Sequence, residues 1–177
     1  RCDFSQYDRV VVDHNLRRMG KEHQQLRRIP NLVLFDFDFY INYLPKSECR
    51  GKLESILKSL PAHRIIVSSA SIKDDLRGKG FDVAYSPKGY DAYFVQDLGL
   101  RRDLEIGFIG RSNHWAYDMR RSILQKLQAE AGLQILRTEE NEEYNRALNR
   151  IRIFINPDLG YNEVMIKNFE AMAAGCA

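Results

Sequence analysis

The chain has 177 residues, of which 44% are hydrophobic and 29% charged, with a formal net charge of +3. These values describe a globular chain with room for one ordinary domain or two small ones, and they exclude an intrinsically disordered segment. The charge is too small for a nucleic-acid binder, no run approaches the ~18 apolar residues of a membrane span, and no signal peptide is visible.

In chain order, the first apolar run is DRVVVD (8–13), followed by the basic segment LRRMGKEHQQLRR with Arg17, Arg18, Lys21, Arg27 and Arg28. That segment reads either as a solvated helix face or as a surface for acidic lipid headgroups or a phosphorylated acceptor. NLVLFDF (31–37) is a second strand pattern. In KSECRGKLESILKSL, Leu53, Ile56, Leu57 and Leu60 form a helical stripe. RIIVSS (64–69) and FDVAYS (81–86) read as strands. The rhythm breaks at SPKGYDAYFVQDLGLRRD (86–103), which holds Pro87, Gly89 and Gly99 and is the expected linker.

Alternation resumes with LEIGFIG (104–110). The helix in WAYDMRRSILQKLQAEAG is expected to bury Ala116, Met119, Ile123, Leu127 and Ala131 and to end at a Gly132 cap. LQILR (133–137) is a strand, and TEENEEYNRALNR a helix with Thr138 as N-cap and acidic first turns. IRIFIN (151–156) is the last strand, before a helix over roughly 163–174 carrying Val164, Ile166, Phe169, Met172 and Ala173. Several runs are apolar on both pleat faces and lack proline, as buried parallel strands are. The expectation is an α/β fold with open, mostly parallel sheets.

Cys2, Cys49 and Cys176 have no metal spacing and are odd in number, so a reducing compartment is the simpler reading. The chain opens on Arg1 and closes on AMAAGCA, where a helix should hand over to a strand, and it reads as a fragment of a longer protein.

Two constellations carry chemistry. IGFIGR (106–111) ends a strand at Gly110-Arg111, where ligands bind in open α/β sheets. The glycine admits a phosphate to the backbone and the arginine can grip it through two parallel hydrogen bonds. A plain strand-end turn with a surface arginine fits equally. INPDLGYNEVMIKNFEAMAAG (155–175) joins a strand end at Asn156-Pro157 to a turn with Asp158 and Gly160 and to a helix starting near Asn162. Amides of such a turn and helix start bind anions. Glu163 and Glu170, seven residues apart, would share one helix face, either to accept from ribose hydroxyls or as solvated residues.

NEVMIKNFEAMAAG resembles the EX7E region of group 1, family 4-like, GT-B glycosyltransferases, and its order of GFIGR (107–111), MRRSILQKL (119–127), TEENEEY (138–144) and RIFIN (152–156) is most similar to CgeB-like members. The stretch 68–91 resembles the end of that family's N-terminal domain, with Lys88-Gly89-Tyr90-Asp91 at the hinge. The resemblance implies two Rossmann-like units of the GT-B type. Residues 1–96 would be the distal part of an acceptor-side domain and residues 97–177 a truncated donor-nucleotide domain. It implies transfer of a hexose-like sugar from a nucleotide diphosphate sugar to a glycan or lipid-linked acceptor, as in polysaccharide biosynthesis, with retention, no obligatory metal and no cofactor.

By the same resemblance Glu170 binds the donor ribose and Arg111 the diphosphate, with Gly110, Gly160, Asn162 and Lys167 around them. The motif's first acid should fall at Asn162, but the glutamate stands at Glu163, which with His14 is the catalytic candidate. The family's diphosphate lysine after the arginine is missing, so Arg120, Arg121 or Lys167 would substitute. His114 and Trp115 could stack on the base, or Trp115 could be core. The partners expected are a nucleotide sugar and its acceptor, with no nucleic acid, and the expected location is the cytoplasm or the inner membrane face.

Two other readings stay open. Asp36 and Asp38 in VLFDFDFY (33–40), with Ser68 or Ser69 downstream, resemble the nucleophile motif of haloacid-dehalogenase-type phosphatases, though no threonine follows Asp38 where that family has one. A non-catalytic module of the same fold that binds a nucleotide or a partner is the other.

Overall fold

A computed structural model describes residues 3–13, 23–112, 118–139, 141–158, 161 and 163–177. The chain forms two compact units, one of residues 1–87 with 161–163 and one of residues 88–160 with 164–177. Each is an α/β layer structure on a parallel sheet, and all seven apolar runs contribute strands.

The first unit runs β1 (Val10–Asp13), α1 (His23–Leu26), β2 (Leu32–Asp36), a 3-10 turn (Phe39–Asn42), α2 (Lys52–Ser59), β3 (Ala62–Val67), α3 (Ala70–Gly78) and β4 (Val83–Tyr85). Its strands lie in the order β1-β2-β3-β4, all parallel. Leu32, Val33 and Leu34 of β2 are all buried, as expected of an inner strand covered on both faces. The edge strand β1 alternates half-buried and exposed positions. The predicted α2 stripe is buried at Leu53, Leu57 and Leu60. Its start is capped from a distance: Asn42 Oδ1 accepts the Leu53 N–H at 3.0 Å. Ser69 caps α3, its hydroxyl accepting from the Ile72 N–H at 3.2 Å.

The second unit runs β5 (Leu104–Ile109), α4 (Asp118–Ala131), β6 (Gln134–Leu136), α5 (Asn141–Arg150), β7 (Ile151–Phe154) and α6 (Ile166–Ala173). Its strand order is β6-β5-β7, again parallel. Beneath the sheet face, Phe108, Leu124 and Leu133 form one core, and Val95, Leu104, Ile109, Leu148, Ile151 and Ala171 the other.

Three helix expectations need correction. Helix α4 buries Arg120 and Leu124, while Met119 (55% exposed) and Ile123 (38% exposed) face outward and Ala131 is exposed. The Arg120 guanidinium lies 5.7 Å from the Phe108 ring centre and its stem packs like an apolar chain, so the buried face is rotated by about one residue. Ala116 lies outside the described residues. Helix α5 starts at Asn141, three residues beyond Thr138, which is therefore not its cap. Helix α6 starts at Ile166 and not near Asn162, because Glu163 is held in an antiparallel bridge with Ser69 and Met165 is extended. Gly132, at φ +67°, does follow the end of α4.

The segment 86–103 forms no helix or strand, yet part of it is held on α5. Asn149, fully buried, accepts the Leu98 N–H at 2.6 Å and donates to the carbonyls of Gln96 and Asn145, each at 2.9 Å. Asn149→Ala should orphan two backbone groups of that segment and cost about 2–3 kcal/mol in denaturant unfolding. Wild-type stability in this variant would show that water replaces the amide there.

Helix α6 ends in a Schellman turn, with Gly175 at φ +78°, its N–H on the Met172 carbonyl and the Cys176 N–H on that of Ala171. Arg102 braces the turn, donating to the carbonyls of Ile151 (2.7 Å) and Ala174 (2.6 Å). Ala177 then exchanges two 2.9 Å backbone bonds with Arg152 and Phe154, in the pattern of a strand beside β7. Cys49 and Cys176 are free thiols. Among the described residues no helix is long and apolar enough to cross a membrane.

Candidate functional site

Topology singles out one place in the second unit. From β5 the chain crosses to β6 on one side, and from β6 it crosses to β7 on the other. Crossovers that diverge in this way leave a crevice beyond the carboxyl ends of the two central strands, where open α/β sheets bind ligands. Here those are the ends of β5 and β7, occupied by Gly110-Arg111 and Asn156-Pro157. In the first unit the crossovers all step the same way and leave no such divergence.

Gly110 has φ +145°, a conformation that favours glycine. A Cβ there would stand 3.3 Å from Lys167 Cε and 3.3 Å from the Phe108 ring. The missing side chain therefore makes room for Lys167, which reaches over the strand end from the first turn of α6. Its ammonium sits 4.6 Å from the centre of the Tyr144 ring. Among the described residues it makes no hydrogen bond and no ion pair. Burial holds this ammonium below the ordinary lysine range, with Glu170 opposing the shift and Arg120 adding to it. A half-buried cation resting on a π face keeps its N–H groups available to an acceptor.

Glu170 is one turn further along α6. Its Oε2 accepts the Tyr144 hydroxyl at 2.5 Å, and burial first, then this bond, pushes the phenol well above its ordinary value. Arg120, 5% exposed, donates to the Pro157 carbonyl at 3.3 Å and adds positive potential under the β5 end. Asn156 Nδ2 donates to Asn168 Oδ1 at 2.6 Å, and the buried Asn156 Oδ1 has no hydrogen-bond partner among the described residues. Arg111 is exposed just beyond Gly110. Arg121 turns elsewhere, donating to the Ser112 carbonyl at 3.1 Å and pairing with Asp118 at 3.6 Å.

Gly110, Lys167 and Glu170 thus gather in one place, with Arg111 next in the chain. Glu163 does not share a helix face with Glu170. It belongs to the first unit, buried, where the Ser68 hydroxyl lies 2.6 Å from its Oε1. His14, Gly160, Asn162, His114 and Trp115 lie outside the described residues. Asp36 ends β2 with its Oδ1 accepting the Asp38 N–H at 2.7 Å. Tyr144 was not singled out from the sequence: 26 residues separate it from Glu170, and no local spacing links them. Among the described residues, no group of three or more His, Cys, Asp and Glu side chains could hold a metal ion.

This geometry can be set against known structures. A sucrose-phosphate synthase from Thermosynechococcus elongatus matches the chain with a TM-score of 0.63 and 16% sequence identity, over 97% of this chain and 56% of that one. The likeness is to the fold of a glycosyltransferase. At this identity it extends to architecture, two Rossmann-like units with parallel sheets, and the chain spans little more than half of that protein's length. No protein-family profile and no curated protein matches the sequence.

Proposed function

We propose that this chain carries the donor site of a glycosyltransferase, of the CgeB-like kind its motifs resemble, that moves a sugar from a nucleotide diphosphate sugar to a glycan or lipid-linked acceptor. The observation that carries the reading is the Lys167 ammonium, poised over Gly110 at the strand divergence with no carboxylate paired to it among the described residues. In the reaction, the bond from the anomeric carbon to the donor's phosphate oxygen breaks as the acceptor hydroxyl oxygen bonds that carbon, and the hydroxyl proton passes to the departing phosphate oxygen. The diphosphate leaves with the electron pair. Fixed positive groups stabilise the charge as it develops. Lys167 and Arg111 would contact the phosphates, Arg120 would strengthen the local field, and Glu170 would accept from the ribose hydroxyls. Glu163 lies buried in the first unit, bonded by the Ser68 hydroxyl, so Glu163→Gln should leave diphosphate affinity unchanged.

Titration calorimetry with UDP, GDP and ADP, with and without magnesium, tests the reading beside Arg111→Ala and Glu170→Ala. Metal-independent binding of one diphosphate, weakened by both substitutions, is expected. A folded chain that binds none of the three overturns it.

The lowered Lys167 value also sets a pH dependence. Tyr144 from α5, Glu170 from α6 and Arg120 from α4 face this ammonium. A bound diphosphate favours its charged form, so binding takes up a proton between the free and bound values. Affinity should be highest where the ammonium is charged and fall as pH rises, the fall beginning below the ordinary lysine value of 10.5. A flat profile up to that pH would contradict the assignment.

A further inference from the structure

Resting on the donor-site reading, we propose that Tyr144 is a positioning residue that keeps Lys167 and Glu170 apart and open, one for phosphate and the other for ribose. Lys167 and Glu170 stand three residues apart on α6, the spacing at which a lysine and a glutamate pair with each other. Such a pair would neutralise both binding groups at once. Tyr144, reaching in from α5, engages each of them separately. Its ring face carries the ammonium at 4.6 Å, and its hydroxyl holds Glu170 Oε2 at 2.5 Å. The other carboxylate oxygen, Oε1, accepts no hydrogen bond among the described residues. A side chain with three rotatable bonds is thereby fixed with one acceptor presented, so less ordering remains to be done when ligand binds. The phenol's raised value keeps it a proton donor at any working pH.

The two contacts can be removed separately. Tyr144→Phe keeps the ring under Lys167 and releases Glu170. Tyr144→Leu removes both and lets the lysine and glutamate pair. The probes are inorganic pyrophosphate, which needs only the cation, and the nucleoside diphosphate that the wild-type chain binds. Tyr144→Phe should keep pyrophosphate affinity and lose about tenfold for the nucleoside diphosphate, erasing the preference that ribose confers. Tyr144→Leu should lose about tenfold for both. Thermal melts of each variant show whether the fold is kept, and the phenylalanine variant is the decisive one if the leucine variant unfolds. Tyr144→Phe binding both probes as the wild type does, or weakening both equally, overturns the positioning role. A wild-type chain that binds neither probe overturns the donor-site reading itself, a distinguishable failure.

Discussion

Lys167→Met should weaken nucleoside diphosphate binding by about 10- to 100-fold while leaving the melting temperature unchanged. The affinity loss follows from one charge-assisted hydrogen bond, about 1.5–3 kcal/mol, at 1.4 kcal/mol per tenfold. The unchanged stability follows from the site. The ammonium has no carboxylate partner among the described residues, and burial already disfavours its charge. Methionine keeps the apolar stem beside Gly110 and Tyr144, so little packing is lost. The combination separates a binding group from a structural one. A variant that loses stability but keeps affinity would mean that Lys167 serves the fold, and that the phosphate is gripped elsewhere.

Gly107→Val should destabilise the second unit by about 3 kcal/mol. Gly107 sits inside β5, where no turn requires a glycine, and its φ is outside the left-handed region. The reason is contact. A Cβ at this position would lie 2.6 Å from Ile151 Cδ1 and 2.7 Å from Ile151 Cγ1. Ile151 is fully buried at the start of β7, among Leu104, Leu148 and Ala171, and cannot retreat into solvent. Urea unfolding read by tyrosine and tryptophan fluorescence would show the midpoint fall. The double substitution Gly107→Val with Ile151→Ala should recover part of the loss, because it returns the volume the new side chain takes. Failure of that rescue would place the strain in the backbone rather than at Ile151.

Much of the fold was legible in the sequence because its signals are local. Runs such as NLVLFDF and LEIGFIG are largely apolar on both faces, as inner parallel strands are, and both are strands here. The α2 stripe and the glycine after α4 were readable for the same reason. Expectations failed where a distant partner overrides local preference. Asn162 looked like a helix start, but Ser68 and Ser69, more than ninety positions earlier, hold Glu163 extended. Thr138 looked like a cap, but α5 begins three residues later. Met119 and Ile123 looked like the buried stripe of α4, but Arg120 takes the inner face over Phe108.

The candidate site divides in the same way. Gly110, Arg111 and Glu170 could be picked out by position, at a strand end and in a motif. Choosing Lys167 over Arg120 and Arg121 took the space left by Gly110, and finding Tyr144 took the packing of α5 against α6. By itself the sequence determined which segments become strands and helices and where glycines stand, since hydrophobic period and φ preference act within a few residues. Only the tertiary structure decided which charges meet, because a buried ammonium or carboxylate takes its role from groups that the chain brings together across tens of residues.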